Sequence, residues 1–198
     1  MMKGYSEYTD SAIEGVDKAP SNWNVMRFRH LFSIGRGLGI TKENLQDDGI
    51  PCVNYGEIHS KYGFELDLEK HPLKCVHEGY LDTSPSSLLN KGDLVYADTS
   101  EDLEGSGNFT QLVSDGKTFA GYHTVIARQT RNHDDRFLAY ALDSDYCRNQ
   151  IRRMVKGVKV FSITQAILKD TSILLPSYVH ILSSFDHPIA LTLIAYSH

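Results

Sequence analysis

Apolar positions fall in short runs along most of the chain, separated by polar stretches rich in turn residues, and take on helical spacing only late. Residues 22–34 alternate loosely and carry aromatics. They predict a strand region running into the glycine-rich loop Gly35-Arg36-Gly37-Leu38-Gly39. Residues 50–55 predict a short buried strand closed by a turn at Gly56, and residues 63–67 a further strand. Residues 84–89 predict a short helix, Asn90-Lys91-Gly92-Asp93 a turn, and Leu94–Ala97 the strand behind it. A polar, acidic loop follows at 98–108, then a strand at 119–127 with Gly121 near its start.

The strongest helical pattern covers 136–155, where Phe137, Leu138, Ala141, Leu142, Ile151, Met154 and Val155 recur at helical spacing and Lys156-Gly157 ends the run. A second helix is expected to start at Ser162, because Ser162 and Gln165 have capping-box spacing and Ala166, Ile167 and Leu168 follow. Residues 171–175 form a last strand, stopped by Pro176. Many short strands with late helices predict an α+β fold with a twisted mixed or antiparallel sheet and helices mainly in the C-terminal half. Residues 1–20 read as a flexible leader, 21–176 as one domain, and 177–198 as a tail without a heptad pattern.

Composition leaves this picture in place. Hydrophobic content of 41% and charged content of 23% are ordinary for a soluble globular protein, and 198 residues can bury a proper core. Cys52, Cys75 and Cys147 show no close pairing, so a reducing, cytoplasmic setting is expected. Residues 1–17 lack the apolar stretch of a signal peptide. The late apolar segment 188–196 is far shorter than the roughly 20 residues of a membrane span, so no membrane partner is expected.

Charge adds something the pattern does not. The net charge of −5 argues mildly against a nucleic-acid partner. Its distribution argues the other way. Residues 18–42 contain no acid but hold Lys18, Arg27, Arg29, Arg36 and Lys42. Residues 146–169 contain no acid but hold Arg148, Arg152, Arg153, Lys156, Lys159 and Lys169. Two solvated faces would give the same pattern.

Catalytic constellations are weak. The loop at Gly35 is G-x-G-x-G, one residue short of a dinucleotide fingerprint, so no cofactor is implied. Its glycines would still let backbone N–H groups approach a phosphate. Asp98, Glu101, Asp102 and Glu104 lack the alternation of a calcium loop and read as a solvated loop, although a carboxylate there can accept from cytosine N4. Cys75-x-His77 is the one close Cys/His pair, with no second pair at metal-ligand spacing, and His59, His71 and His123 stand alone. No G-x-S-x-G is present. A binding role gains weight.

An ordered series of segments carries a resemblance. It runs from Trp23-Asn24-Val25 through Leu31-Phe32-Ser33-Ile34 to Gly49-Ile50-Pro51-Cys52-Val53-Asn54-Tyr55-Gly56-Glu57-Ile58. It continues with Leu89-Asn90-Lys91-Gly92-Asp93-Leu94-Val95-Tyr96-Ala97-Asp98, Ala120-Gly121-Tyr122-His123 and Phe137-Leu138-Ala139-Tyr140. It closes with Gly157-Val158-Lys159-Val160-Phe161-Ser162-Ile163 and Ile173-Leu174-Leu175-Pro176. In this series the chain resembles the specificity subunits of type I restriction–modification enzymes. The resemblance implies a target-recognition domain that reads one half of a split double-stranded DNA site and catalyses nothing itself. A complete subunit carries two such domains joined by long helices that dock methyltransferase subunits. Methylation, translocation and cleavage belong to the methyltransferase (modification) and restriction/translocase partners. The chain departs from that pattern after Pro176, where the Glu-Gln dipeptide and long amphipathic helix are missing, and it reads as a half subunit that admits a homodimer.

On this reading basic residues position the protein on phosphates and loop residues read base edges. The phosphate candidates are Arg36, Lys42, Arg152, Arg153, Lys156 and Lys159. Arg36 can also pair with guanine O6 and N7, and Asn54 with adenine N6 and N7. Tyr55, Lys61, Tyr62, Ser106, Asn108, Tyr122 and His123 lie near predicted turns and complete the set, with core packing the alternative for Tyr55 and Tyr122. A protein-interaction module that has lost DNA binding fits the acidic balance, and a nuclease is a third reading.

Overall fold

The computed structural model describes residue 5 and residues 7–177. In chain order the strands are β1 (Tyr8–Asp10), β2 (Lys18–Pro20), β3 (Trp23–Arg27), β4 (Phe32–Arg36), β5 (Ile50–Val53), β6 (Glu65–Leu66) and β7 (Cys75–Val76). They continue with β8 (Leu94–Ala97), β9 (Thr99–Ser100), β10 (Phe109–Leu112), β11 (Phe119–Ala120), β12 (Thr124–Gln129), β13 (Phe161–Ser162) and β14 (Ser172–Pro176). The helices are α1 (Tyr55–Ser60), α2 (Tyr80–Thr83), α3 (Asp135–Asp143), α4 (Asp145–Met154) and α5 (Gln165–Asp170). The α+β expectation holds, with most helical residues late in the chain.

A five-stranded sheet of order β4-β12-β8-β10-β6 forms the centre, antiparallel except where β10 meets β6. Strand β8 is buried along its whole length because both faces of the sheet are covered. Its period-two alternation divides the core. Leu94 and Tyr96 pack with Val125, Ala127, Leu138, Leu142 and Ile151 beneath α3 and α4. Val95 and Ala97 pack with Ile126, Val53, Ile58 and Leu66 beneath α1. A smaller sheet, β11-β5-β7, buries Cys52, Val76 and Phe119 with Leu38. Strands β3 and β14 pair antiparallel, so the first and last parts of the domain close on each other.

Several elements differ from expectation, each for a local reason. The region 22–34 is two strands that pair with different partners, separated by a single 3-10 turn that buries Phe28. The expected turn at Gly56 is the first turn of α1, where Asn54 caps the helix and its N–H donates to Glu57 Oε2 at 3.1 Å. The helix expected over 136–155 breaks at Ser144, whose ψ of 151° is extended. Ser144 Oγ–H donates to the Ala141 carbonyl at 2.5 Å, and a hydroxyl competing for the backbone makes Ser144 a cap instead of a helix interior residue. The second late helix is capped by Thr164, which accepts from Ile167 N at 3.3 Å, and not by Ser162, which pairs with Thr99 in a strand. Residues 119–127 are two strands with a turn at 121–123 between them. In the stretch expected as a flexible leader, β1 and β2 form a hairpin whose Ile13 and Ala19 are buried in the main core. Of the expected tail, only Ser177 is described, its N–H donating to the Asn22 carbonyl at 3.0 Å; the rest lies outside the described residues.

Among the described residues no helix is long and apolar enough to cross a membrane, and no cluster of three or more potential metal ligands occurs. All three cysteines are free and buried.

Candidate nucleic-acid interface

Strand direction brings distant segments to one edge. Strand β4 ends at Arg36 opposite Val125, and β8 ends at Ala97 opposite Thr124. Strands β5 and β11 run parallel and end together at Val53 and Ala120. The segments after these ends are stitched to one another. Gly121 N donates to the Val53 carbonyl at 2.7 Å, Gly37 N to the Thr124 carbonyl at 3.1 Å, and Asp98 N to the His123 carbonyl at 3.0 Å. The loop starting at Gly37, the start of α1, the turn at 121–123 and the loop at 98–108 therefore share one rim.

Asn54 is the pin of this rim. It is fully buried; its Oδ1 accepts from Tyr122 N at 3.2 Å and its Nδ2 donates to the Cys52 carbonyl at 3.3 Å. A methyl group on Gly121 would overlap Asn54 Oδ1, so only glycine lets the turn come this close. His123 closes the turn at φ 54°, the one non-glycine residue in the left-handed region among the described residues. Histidine tolerates this conformation better than most residues, and its occurrence here marks a turn held by its surroundings.

Above that floor four rings gather. Tyr55 lies edge-on to Tyr122 at 5.7 Å, to His123 at 5.3 Å and to His59 at 6.4 Å between centroids. Tyr55 and Tyr122 are half-buried and His123 is exposed. Burial, with a contribution from the Glu57 carboxylate, raises the Tyr122 hydroxyl above its ordinary value, so it is a neutral donor. His123 Nδ1 lies 3.1 Å from Asp98 Oδ1.

A second network fixes the loop 98–108 against α1 and α4. His59 Nε2 lies 2.8 Å from the Thr99 carbonyl, which can only accept, so Nε2 carries the proton and Nδ1 accepts. Asn108 Nδ2 then donates to His59 Nδ1 at 3.1 Å, and Arg148 Nη1 donates to Asn108 Oδ1 at 2.7 Å. Arg148 is anchored in turn by Asp143 Oδ1, at 3.0 Å from Nε and 2.6 Å from Nη2. Arg152 Nη2 donates to the Glu104 carbonyl at 2.8 Å, tying α4 to the same loop. Asp102 is used inside the loop, accepting from Gly105 N at 2.5 Å.

The expected site residues thus divide. Arg36, Lys42, Lys61, Lys156 and Lys159 are exposed and form no ion pair among the described residues, unlike Lys74 with Asp47 or Lys91 with Asp115. Tyr55, Tyr122 and His123 come together on the rim. Three residues do not fit a base-reading role: Asn54 is fully buried, Ser106 is fully buried and donates to the Asp102 carbonyl at 3.3 Å, and Tyr62 is 6% exposed with its hydroxyl on the Pro72 carbonyl at 3.1 Å. Asn108 is held between His59 and Arg148. Arg153 pairs with Glu14, and Arg152 is engaged by the loop. The amides of Gly37 and Leu38 bond to the Thr124 and Ala120 carbonyls, which removes both from the expected phosphate contact. His59 and Arg148 were not among the site residues expected from sequence. A helix at 55–60 would have placed His59 one turn beyond Tyr55, and the Asp143/Arg148 spacing is readable as a pair across the helix break.

Comparison with known proteins agrees with this architecture. Residues 20–193 match the family described as "Type I restriction modification DNA specificity domain". The chain is 22% identical over 177 residues to the type I restriction enzyme MjaVIII specificity subunit of Methanocaldococcus jannaschii, covering 88% of this chain and 40% of that protein. Among solved structures it is similar to the type I restriction–modification S subunit from M. genitalium, with a TM-score of 0.55 and 18% identity over 88% of this chain and 38% of that one. It is also similar to the HsdS subunit from Thermoanaerobacter tengcongensis, with a TM-score of 0.58 and 16% identity over 94% of this chain and 41% of that one. The chain thus spans about 40% of the length of the relatives it matches.

Proposed function

The chain belongs to the type I restriction modification DNA specificity domain family, and from that premise we propose that it reads one half-site of double-stranded DNA and supplies specificity to catalytic partners. The observation that carries the proposal is the rim itself: Tyr55, Tyr122 and His123 gathered on a buried hydrogen-bonded floor, in a protein whose exposed Arg36, Lys42, Lys61, Lys156 and Lys159 have no counter-ion among the described residues. Cations without counter-ions are free to replace the ions condensed on a phosphate backbone. Rings and hydroxyls held by a rigid scaffold present fixed hydrogen-bonding groups to base edges. Methylation and cleavage are assigned to a methyltransferase and a restriction/translocase subunit. A pair of half subunits would supply the second half-site.

Binding of the purified chain to a randomised pool of duplex DNA at two salt concentrations tests this. The expected result is enrichment of a short asymmetric motif with affinity falling as salt rises. Each phosphate contact contributes about 0.9 to the slope of log affinity against log salt, so Lys156→Ala/Lys159→Ala should reduce it by nearly 2. An unchanged slope removes those lysines from the interface. Absence of any salt-sensitive binding overturns the proposal in favour of a protein-interaction module.

A further inference from the structure

Five large hydrophobic side chains are exposed among the described residues, and three of them, Leu103, Val158 and Val160, sit on two segments joined by the β9–β13 pairing. Val158 is the extreme case at 95% exposed. It lies at the tip of a hairpin closed by the Lys156–Ser162 bridge, between the exposed Lys156 and Lys159. The tip is tightly built, since a methyl group on Gly157 would overlap the Val160 carbonyl oxygen. Its root is fixed to the rim. Ile163 N donates to the Asp98 carbonyl at 2.8 Å, and Asp98 also receives the His123 ring. A short, anchored hairpin therefore carries a fully exposed valine between two lysines that no acid among the described residues neutralises.

We infer that this tip is a groove-reading element: Val158 packs on the C5-methyl group of a thymine in the major groove while Lys156 and Lys159 hold the flanking phosphates. The inference rests on the DNA-binding reading above and adds the residue and the base group it reads. Charge selects DNA as the occupant, because two cations without an ion pair among the described residues bracket the apolar residue. Size selects the groove. The two arms of the hairpin, joined at the Lys156–Ser162 bridge, lie about 4.8 Å apart there before side chains are added, which suits a major groove about 12 Å wide and not a minor groove about 6 Å wide. Chemistry selects the base, since the thymine methyl is the apolar group a base pair offers in that groove.

The test uses the full chain and the duplex recovered from the randomised pool, with each thymine replaced in turn by deoxyuridine, which removes only the methyl group. Wild-type protein should lose about fourfold in affinity at one thymine, the factor that corresponds to one methyl-sized apolar contact. Val158→Ser should bind the parent duplex about fourfold more weakly, show no further loss at that thymine, and keep the wild-type salt slope. Val158→Ile should keep the uracil sensitivity, and Lys156→Ala should lower the salt slope while leaving that sensitivity in place. Specific, salt-dependent wild-type binding with a flat uracil scan, or with a uracil effect undiminished in Val158→Ser, overturns the inference and leaves the DNA-binding reading standing; the tip would then face a protein. No DNA binding by the wild type overturns both.

Discussion

Replacing Arg148 by alanine tests whether the loop 98–108 is held by a relay or by independent contacts. Arg148 Nη1 is the only charged donor to Asn108 Oδ1 among the described residues, and the arginine side chain is 17% exposed. Its removal strips the half-buried Asn108 oxygen of a charge-assisted bond, a loss of about 1.5 kcal/mol. Asp143, at 37% side-chain exposure, regains water, so losing that pair adds only about 0.5–1 kcal/mol. Lost packing of the arginine stem brings the expected cost to about 2–3 kcal/mol. For a domain of this size that is a drop in Tm of roughly 5–10 °C. Arg148→Lys, which cannot reproduce the fork, should fall between the two. Asn108→Ala should cost about 1–2 kcal/mol, and the double variant should be less destabilised than the sum by about 1 kcal/mol. Urea unfolding of the four proteins measures this cycle. Hydrogen exchange at Gly105 and Asn108, whose amides bond within the loop, should quicken in either single variant. Additivity within about 0.3–0.5 kcal/mol, with unchanged loop exchange, would refute the relay.

Other consequences are equally direct. Burial pushes the Cys52 and Cys147 thiols up to about 12, and burial also raises Cys75, so a disulfide reagent at pH 8 should give no fast phase on native protein and three thiols in denaturant. Rapid labelling of Cys52 or Cys147 would contradict the packing. His123→Gly should raise stability by about 0.5–1 kcal/mol by relieving the left-handed backbone, while weakening sequence-specific DNA binding; a stability loss would show that the ring contributes more than the backbone costs. Burial, and then Arg131, lower the His133 pKa below its ordinary 6.5. The unfolded chain therefore binds more protons than the native state from about that pH downward. Stability should be complete above pH 6.5 and decline as pH falls below it, a slope that His133→Gln should flatten.

Much of the framework is legible in the residues because it rests on local pattern. The run Leu94–Ala97 behind Asn90-Lys91-Gly92-Asp93 reads as a strand and is one, since a short continuous apolar run bounded by turn residues is too short for a helix; that it is buried on both faces comes from the fold. The α+β class and the last strand follow in the same way, although that strand runs through Pro176, which pairs with Trp23, and is not stopped by it. Local pattern misleads where a polar side chain has two uses. Ser144 sits in a run with helical spacing yet caps a new helix, and Ser162 has capping spacing yet pairs in a strand.

The candidate site shows the same division. The polarised basic tracts are a property of the sequence, and the exposed Arg36, Lys42, Lys156 and Lys159 come from them. The roles of Asn54, Ser106 and Asn108 are not, because a polar residue near a turn looks the same whether it faces water or is buried under hydrogen bonds from residues far along the chain. Asn54 meets Tyr122, and Asn108 meets His59 and Arg148, only after β5, β8, β11 and β12 have aligned their ends. Composition and periodicity thus determined the class of fold and the placement of charge. Tertiary structure alone decided which polar side chains are floor and which are surface, since burial depends on partners that sequence distance conceals.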